Sequence, residues 1–170
     1  IQCARNFNQS ANAYSGLYRT GYIGSITVVV RRDVVLAVGG FDETLAAAQD
    51  FDLWLKILND PALKFIVFPE ALSLYYVSGS GITSATARRL RCTTRVAVRH
   101  AAAFPDLLYR LLAIHYEAFS AYIGRGRYAD ALWICLAATV NVPAAVLQAT
   151  VSPSLLAALS WGWVIGAFVL

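Results

Sequence analysis

The chain has 170 residues and 18.5 kDa, enough for one good core, so length limits it to one domain or part of a larger one. It is 58% hydrophobic and 14% charged, where an average soluble domain is about 25% charged, so much of its surface is expected to be covered by further protein or by lipid. The net charge of +4 is modest and no recognised binding motif accompanies the arginines, which excludes nucleic acid as the expected partner and leaves anionic phosphate groups open.

The chain starts at Ile1 and contains no methionine, which reads as a fragment of a longer protein. Cys3, Cys92 and Cys135 are odd in number and far apart, so neither a disulfide framework nor a zinc site is indicated and a reducing compartment fits. The opening "IQCARNFNQSANAYSG" is polar and carries no apolar core of a signal peptide.

In chain order, residues 1–22 are rich in Asn, Ser, Gly and Tyr without periodicity and read as loop. Residues 23–30, "IGSITVVV", form a β-branched run that predicts a strand buried on both faces. Residues 31–38 predict a short helix, with Asp33 near its start and Gly39 and Gly40 placed to end it. In residues 45–58 the apolar Phe51, Trp54, Leu55 and Leu58 fall at i, i+3, i+4 and i+7, a helical face, and Leu53 and Ile57 cover another side. Asn59, Asp60 and Pro61 stop that helix. "KFIVF" and "LSLYYV" then predict two short strands around a Pro-Glu turn.

From Thr86 the pattern is helix after helix: "TARRLRCTTRVAVRHAAAF", "LLYRLLAIHYEAFSAYI" and, after "GRGR", "YADALWICLAATV". Residues 107–140 suit a helical hairpin. Three segments follow from this reading: an α/β part over 1–84, a helical extension over 85–130, and 131–170. The last segment holds no Asp, Glu, Lys, Arg or His. Pro143 and Pro153 divide it, and residues 155–170 are short against the roughly 17 to 25 residues of a span. Two covers suit it, neighbouring protein or a membrane met by a broken span or an in-plane helix, with Arg125 and Arg127 as a cytoplasmic flank.

Asp50 and Asp52 spell D-x-D, but on a helix they point about 200° apart and do not readily share one ion. Asp52 and Lys56 stand at i and i+4, the solvated ion-pair spacing, which makes Asp52 a surface or helix N-terminal residue. Asp50 opens the helix after Ala46, Ala47 and Ala48; it is either a cap or a carboxylate facing a cleft. Asp42 and Glu43 follow a double glycine and belong to a turn. The loop "SGSGITSATARRLR" is either a plain glycine turn or a phosphate cradle with Arg88 and Arg89. His100 and His115 lie on helical faces without ligand spacing, as packing or surface residues.

The stretch "RRDVVLAVGGFDETLAAAQDFDLWLKIL" resembles the second half of family 2 glycosyltransferases: a strand, a basic pair (Arg31, Arg32), a G-G-F-D-E turn (Gly39 to Glu43), then an acidic residue and an aspartate opening a helix that continues D-L-W-L. "LSLYYVSGSGITS" is similar to the family's Tyr-containing strand running into a Gly and Ser-rich loop. The resemblance covers about residues 20 to 95. It implies a partial GT-A fold, α/β, followed by an all-α tail. It also implies inverting transfer of a sugar from a nucleotide-diphosphosugar to a hydroxyl on a sugar, lipid-linked or protein acceptor, in glycan or cell-envelope synthesis. The position matching the family's general base is Asp50, which would take the acceptor's proton. Gly39, Gly40, Phe41, Asp42, Gln49 and Trp54 match substrate-contacting positions, and Gln49 departs from the usual glutamate.

The family's cation, Mg or Mn, is held by a D-x-D in the other half, which this sequence lacks. The chain is accordingly expected to be inactive alone and to offer no metal ligands. It has no Q-x-x-R-W motif after Asp50, unlike processive polysaccharide synthases. The implied location is cytoplasmic, at the inner face of a membrane. The reading from a different class is a non-catalytic helical module, binding membrane or a partner, that retains a degenerate transferase half.

Overall fold

The computed structural model describes residues 13–21, 23–68, 70, 72–74 and 85–150. The contacts divide the chain into two units, Ile1–Ser84 and Ala85–Leu170. Among the described residues there are six α-helices and one short 3-10 turn, and no β-strand. The expected α/β, partial GT-A architecture is overturned by this helical composition.

The reason is visible at residues 23–30. A strand needs a neighbour for its backbone N–H and C=O groups. Here Ser25–Thr27 closes instead into a 3-10 turn, in which the Thr27 N–H and the Thr27 hydroxyl both donate to the Gly24 carbonyl, at 3.0 and 2.7 Å. The Val28 N–H donates to Ser25 O at 3.4 Å. Val29 is fully exposed, so the apolar run meets solvent and not a sheet. Residues 64–68 are likewise irregular, with Phe65, Ile66 and Phe68 exposed. Of the other expected strand, residues 72–74 are irregular with Leu72 and Leu74 exposed, and residues 75–77 lie outside the described residues.

The first unit also corrects the opening loop. Ala13–Thr20 is a helix, α1, whose Leu17 and Tyr18 are buried while Tyr14 stacks on Tyr18 one turn later, ring centroids 6.4 Å apart. Gly21 ends it at φ 68°, the left-handed conformation that glycine adopts without steric cost, donating its N–H to Leu17 O at 2.7 Å. Helix α2 spans Arg32–Ala37, preceded by the exposed Arg31–Asp33 ion pair at 2.6 Å. That contact holds the Asp33 carboxyl below its ordinary range. Gly39 and Gly40 stop α2 with φ of 82° and 71° and with N–H groups on Leu36 O and Val35 O.

Helix α3, Gln49–Leu58, is the centre of this unit and packs against α1 and α2. Its Phe51, Asp52, Leu53, Trp54, Leu55 and Ile57 are all buried, so the helix is covered on nearly every side. Leu17, Tyr18, Leu45 and Ala47 complete the core. Burying one such leucine contributes about 1.5–3 kcal/mol.

The second unit is a three-helix assembly. Helix α4, Thr86–Arg99, buries Leu90, Thr93, Thr94 and Ala97, one helical stripe, and exposes its arginines. Helix α5, Phe104–Ile123, carries Pro105 in its first turn, where the N–H groups have no partner within the helix. Residues 124–127 then reverse the chain: Gly126 has φ 70°, its N–H meets Ile123 O, and the Arg127 N–H meets Tyr122 O. The Arg127 guanidinium covers the Tyr122 ring at 4.9 Å. Helix α6, Tyr128–Thr150, returns along α5 and runs through Pro143 without ending. The two prolines were expected to divide the apolar tail; Pro143 does not, and Pro153 lies outside the described residues. Glu117 of α5 ties in Arg89 of α4 at 2.7 Å and Arg110 of its own helix at 3.7 Å.

His115 is buried within α5, and its Nδ1 lies 2.8 Å from Leu111 O. A carbonyl only accepts, so Nδ1 carries the proton and the buried Nε2 is left as a bare acceptor with no hydrogen-bond partner among the described residues. Burial pushes the imidazole below its ordinary value, and the Leu111 bond opposes this in part. A histidine depressed in the folded state stabilises it fully above the unfolded value of about 6.5 and loses that contribution as pH falls below it towards the folded value. Amide exchange within Phe104–Ile123, taken relative to the intrinsic exchange rate at each pH, is therefore expected to accelerate as pH falls from about 7.5 to about 5. The His115→Leu variant is expected to lose most of that acceleration; an equal acceleration in the variant would refute the assignment.

Candidate functional site

The site begins with a chain reversal. After α2 the two left-handed glycines turn the backbone, and a Cβ built on either Gly39 or Gly40 meets nothing within 4 Å, so this turn faces open space. Asp42 closes the next turn by accepting both the N–H and the hydroxyl of Thr44, at 2.9 and 2.6 Å. Phe41 between them is half exposed and meets Trp54 edge to face, with centroids 6.5 Å apart. The glycine turn thus fixes where one aromatic ring lies over α3.

Ala48 delivers the chain into α3 at φ 61° and ψ 22°. It is the sole non-glycine residue at positive φ among the described residues. No side chain caps the helix, and Asp50 and Asp52 supply the negative charge that its first turn favours. Gln49 is the first helical residue and is half-buried. The half-buried Asp50 accepts the Ser25 hydroxyl on Oδ2 at 2.9 Å and the Phe51 N–H on Oδ1 at 2.9 Å. Asp52 is placed differently from its expected surface position: it has no exposure, and Lys56 Nζ lies 2.7 Å from its Oδ2. The i, i+4 pair exists, but with its carboxylate buried and only the Lys56 side chain partly exposed.

The two carboxylates of the D-x-D are therefore engaged on separate partners, Ser25 for one and Lys56 for the other. Among the described residues no group of three or more His, Cys, Asp or Glu could hold a metal ion. The divalent cation that the resemblance implies belongs to residues outside this sequence.

Trp54, one turn after Asp50, is buried, and its Nε1–H has no hydrogen-bond partner among the described residues. Leaving such a donor unsatisfied costs about 1–3 kcal/mol. Asp50, Trp54, Phe41 and the glycine turn thus belong to one unit, with Phe41 and Trp54 in contact. Arg88 and Arg89 belong to the other, where both are exposed and Arg89 is paired with Glu117. The loop before them lies outside the described residues. Ser25 was not singled out from the sequence. It sits 25 positions from Asp50 inside a run that reads as a strand, and no local spacing links the two.

No family model, curated protein or solved structure matches the chain. What the fold and site define is a pair of helical units, one of them holding an oriented carboxylate beside an aromatic pair at the start of a buried helix.

Ala48 carries the steric cost of a left-handed L-residue, about 1–2 kcal/mol. Ala48→Gly removes the Cβ at the backbone joint that aims Asp50 and is expected to raise the stability of the first unit by about 1 kcal/mol. Chemical denaturation followed by near-ultraviolet circular dichroism checks this, and a loss of stability would show that the Ala48 methyl has a packing role outweighing its strain.

Proposed function

We propose that this chain supplies the general-base segment of an inverting sugar transferase, with Asp50 taking the proton of an acceptor hydroxyl as that oxygen attacks a nucleotide-diphosphosugar. One observation carries the reading: the carboxylate of Asp50 is half-buried, oriented by Ser25 on Oδ2, and stands one helical turn before Trp54, the ring that Phe41 of the glycine turn meets. A hydroxyl becomes a competent nucleophile as its proton leaves, and a positioned carboxylate is worth typically 10²–10⁴ in rate. Phe41, edge to face with Trp54, offers an exposed ring surface of the kind on which the apolar face of a sugar packs. The reading rests on this local geometry and on the G-G-F-D-E and D-x-D-L-W residues. It does not rest on an α/β sheet.

In this reading the chain is inactive by itself, and the diphosphate and its cation are handled by residues outside this sequence, with an Asp-x-Asp roughly one hundred residues before Asp50 as the resemblance implies. The second reading, a non-catalytic helical module that binds membrane or a partner, is favoured by the helical composition of both units and by the apolar outer face of α6.

Asp50→Asn, placed in the full-length protein, separates them. Sugar transfer is expected to fall by about 10²–10⁴ with donor binding retained. Transfer at the parental rate would sink the base assignment, and lost donor binding would turn Asp50 into a structural residue. Asp52→Asn serves as the contrast. It breaks the buried pair with Lys56 and is expected to lower stability by about 1–3 kcal/mol, measured by denaturant titration; a larger effect on transfer than on stability would move the catalytic role to Asp52.

A further inference from the structure

We infer that the outer face of α6 docks on an anionic lipid bilayer, lying in the plane of the interface with the arginines around the α5–α6 turn on the lipid phosphates. This holds for the second unit by itself and does not depend on catalysis in the first.

The apolar side comes first. Helix α6 has 23 residues, a mean hydropathy of 1.7 over its most apolar window, and only 22% of that window buried. Its inward residues are small or β-branched: Ala131, Ile134, Val142 and Ala145. The large ones face outward, and Leu132, Trp133, Leu136, Val140 and Leu147 are exposed along one side. A globular helix normally reverses this order. No charged residue occurs on α6 after Asp130.

Something of matching chemistry must cover that face, and the hydroxyls indicate what. Thr139 is the sole hydroxyl in residues 132–147, and it turns back to donate to Leu136 O at 2.7 Å. Thr150 does the same to Val146 O at 2.9 Å. Both are satisfied by their own helix, as suits a hydroxyl in surroundings without partners. A protein partner would be expected to meet hydrogen-bonding groups in a polar rim, and over residues 132–147 this stripe offers little beyond the Trp133 indole N–H, a group that also suits a headgroup interface.

The charge supplies the second argument. Residues 85–170 carry eight arginines and no lysine against three acidic side chains. The Arg125 guanidinium donates to the Thr86 hydroxyl at 2.7 Å, which brings the start of α4 to the α5–α6 turn. Arg88, Arg89, Arg125 and Arg127 therefore gather at the end of the assembly where Tyr128 is exposed and α6 begins. Cations beside interfacial aromatics are the composition that meets phosphate headgroups.

The same packing rules out a span. Helices α4 and α5 lie against α6 and carry Arg95, Arg99, Asp106 and the Arg110–Glu117 pair. Carrying these to hydrocarbon depth is costly, whereas an in-plane orientation leaves them in water or among headgroups.

Co-sedimentation of the full chain with vesicles tests this, using phosphatidylcholine mixed with phosphatidylglycerol against phosphatidylcholine alone. Binding is expected to the mixed vesicles, weakening as ionic strength rises from about 0.05 M to about 0.3 M. The pair Trp133→Asp with Leu136→Asp, at exposed positions and with helicity checked by circular dichroism, is expected to weaken it about tenfold or more, and Arg88→Glu with Arg127→Glu to remove the preference for anionic lipid. Should the aspartate pair unfold, quenching by brominated lipid, taken as the difference between the parent and Trp133→Phe, reports directly on burial of Trp133. Unchanged binding in the folded aspartate pair, or no quenching of Trp133, would overturn the proposal. So would absence of vesicle binding together with self-association that the aspartate pair relieves, which would make a second copy the cover.

Discussion

The first unit is organised by a carboxylate that water does not reach. Asp52 stands in the first turn of α3 with no exposure, and Lys56, one turn later, meets it at 2.7 Å. An isolated charge in that position would be strongly destabilising, and the pair makes full burial of the helix tolerable. With the charge neutralised locally, Leu53 and Leu55 can be sealed as well, and α1 and α2 settle on a helix that presents apolar surface almost all round. Asp50, two residues earlier, escapes that enclosure. It keeps partial exposure and takes its orientation from Ser25, so two acidic residues in one D-x-D acquire opposite characters.

The second unit is governed by the unequal faces of α6. Small and β-branched residues inward let α6 lie along α5, and the tight turn at residues 124–127 sets the two helices side by side. The bulky residues are then directed away from the core by the same helical period that places Ala131 and Ala145 within it. Glu117, held between Arg89 and Arg110, links α4 to this hairpin and makes one half-covered acid serve two helices. His115 and Arg110 sit in the same helix as buried polar groups, so the core of this unit is polar in places although the exposed stripe of α6 from Leu132 to Leu147 is largely apolar.

Which elements were legible follows from how local their causes are. The helix containing Phe51, Trp54 and Leu55 and the helices around residues 86–99, 107–123 and 128–140 are written as a repeating apolar stripe, and the structure has helices there. The stop of α2 at Gly39 and Gly40 is also local, because two positive-φ residues in succession suit glycine. The strands were misread for the complementary reason. "IGSITVVV" and "KFIVF" have strand composition, yet a strand exists only through a partner, and among the described residues none is supplied. Helix α1 was missed because its apolar residues are few, and Leu17 with Tyr18 becomes decisive only when α3 is there to cover them. Of the candidate site, Asp50, Trp54, Phe41 and the glycine turn were all marked in the sequence. Ser25 was not, since its contact spans a loop that no periodicity describes.

By itself, then, the sequence determined the helical periods, the glycine stops, the i, i+4 relation of Asp52 to Lys56 and the absence of charge beyond Asp130, because each depends on neighbours within about one turn or on composition alone. Tertiary structure alone decided that Asp52 is sealed while Asp50 is not, that the β-branched run stays unpaired, that Pro143 is absorbed within α6 and that the large side chains of α6 face outward. Those outcomes turn on which surfaces meet across the chain. Burial and pairing are properties of a contact, and one strand of sequence records only half of each.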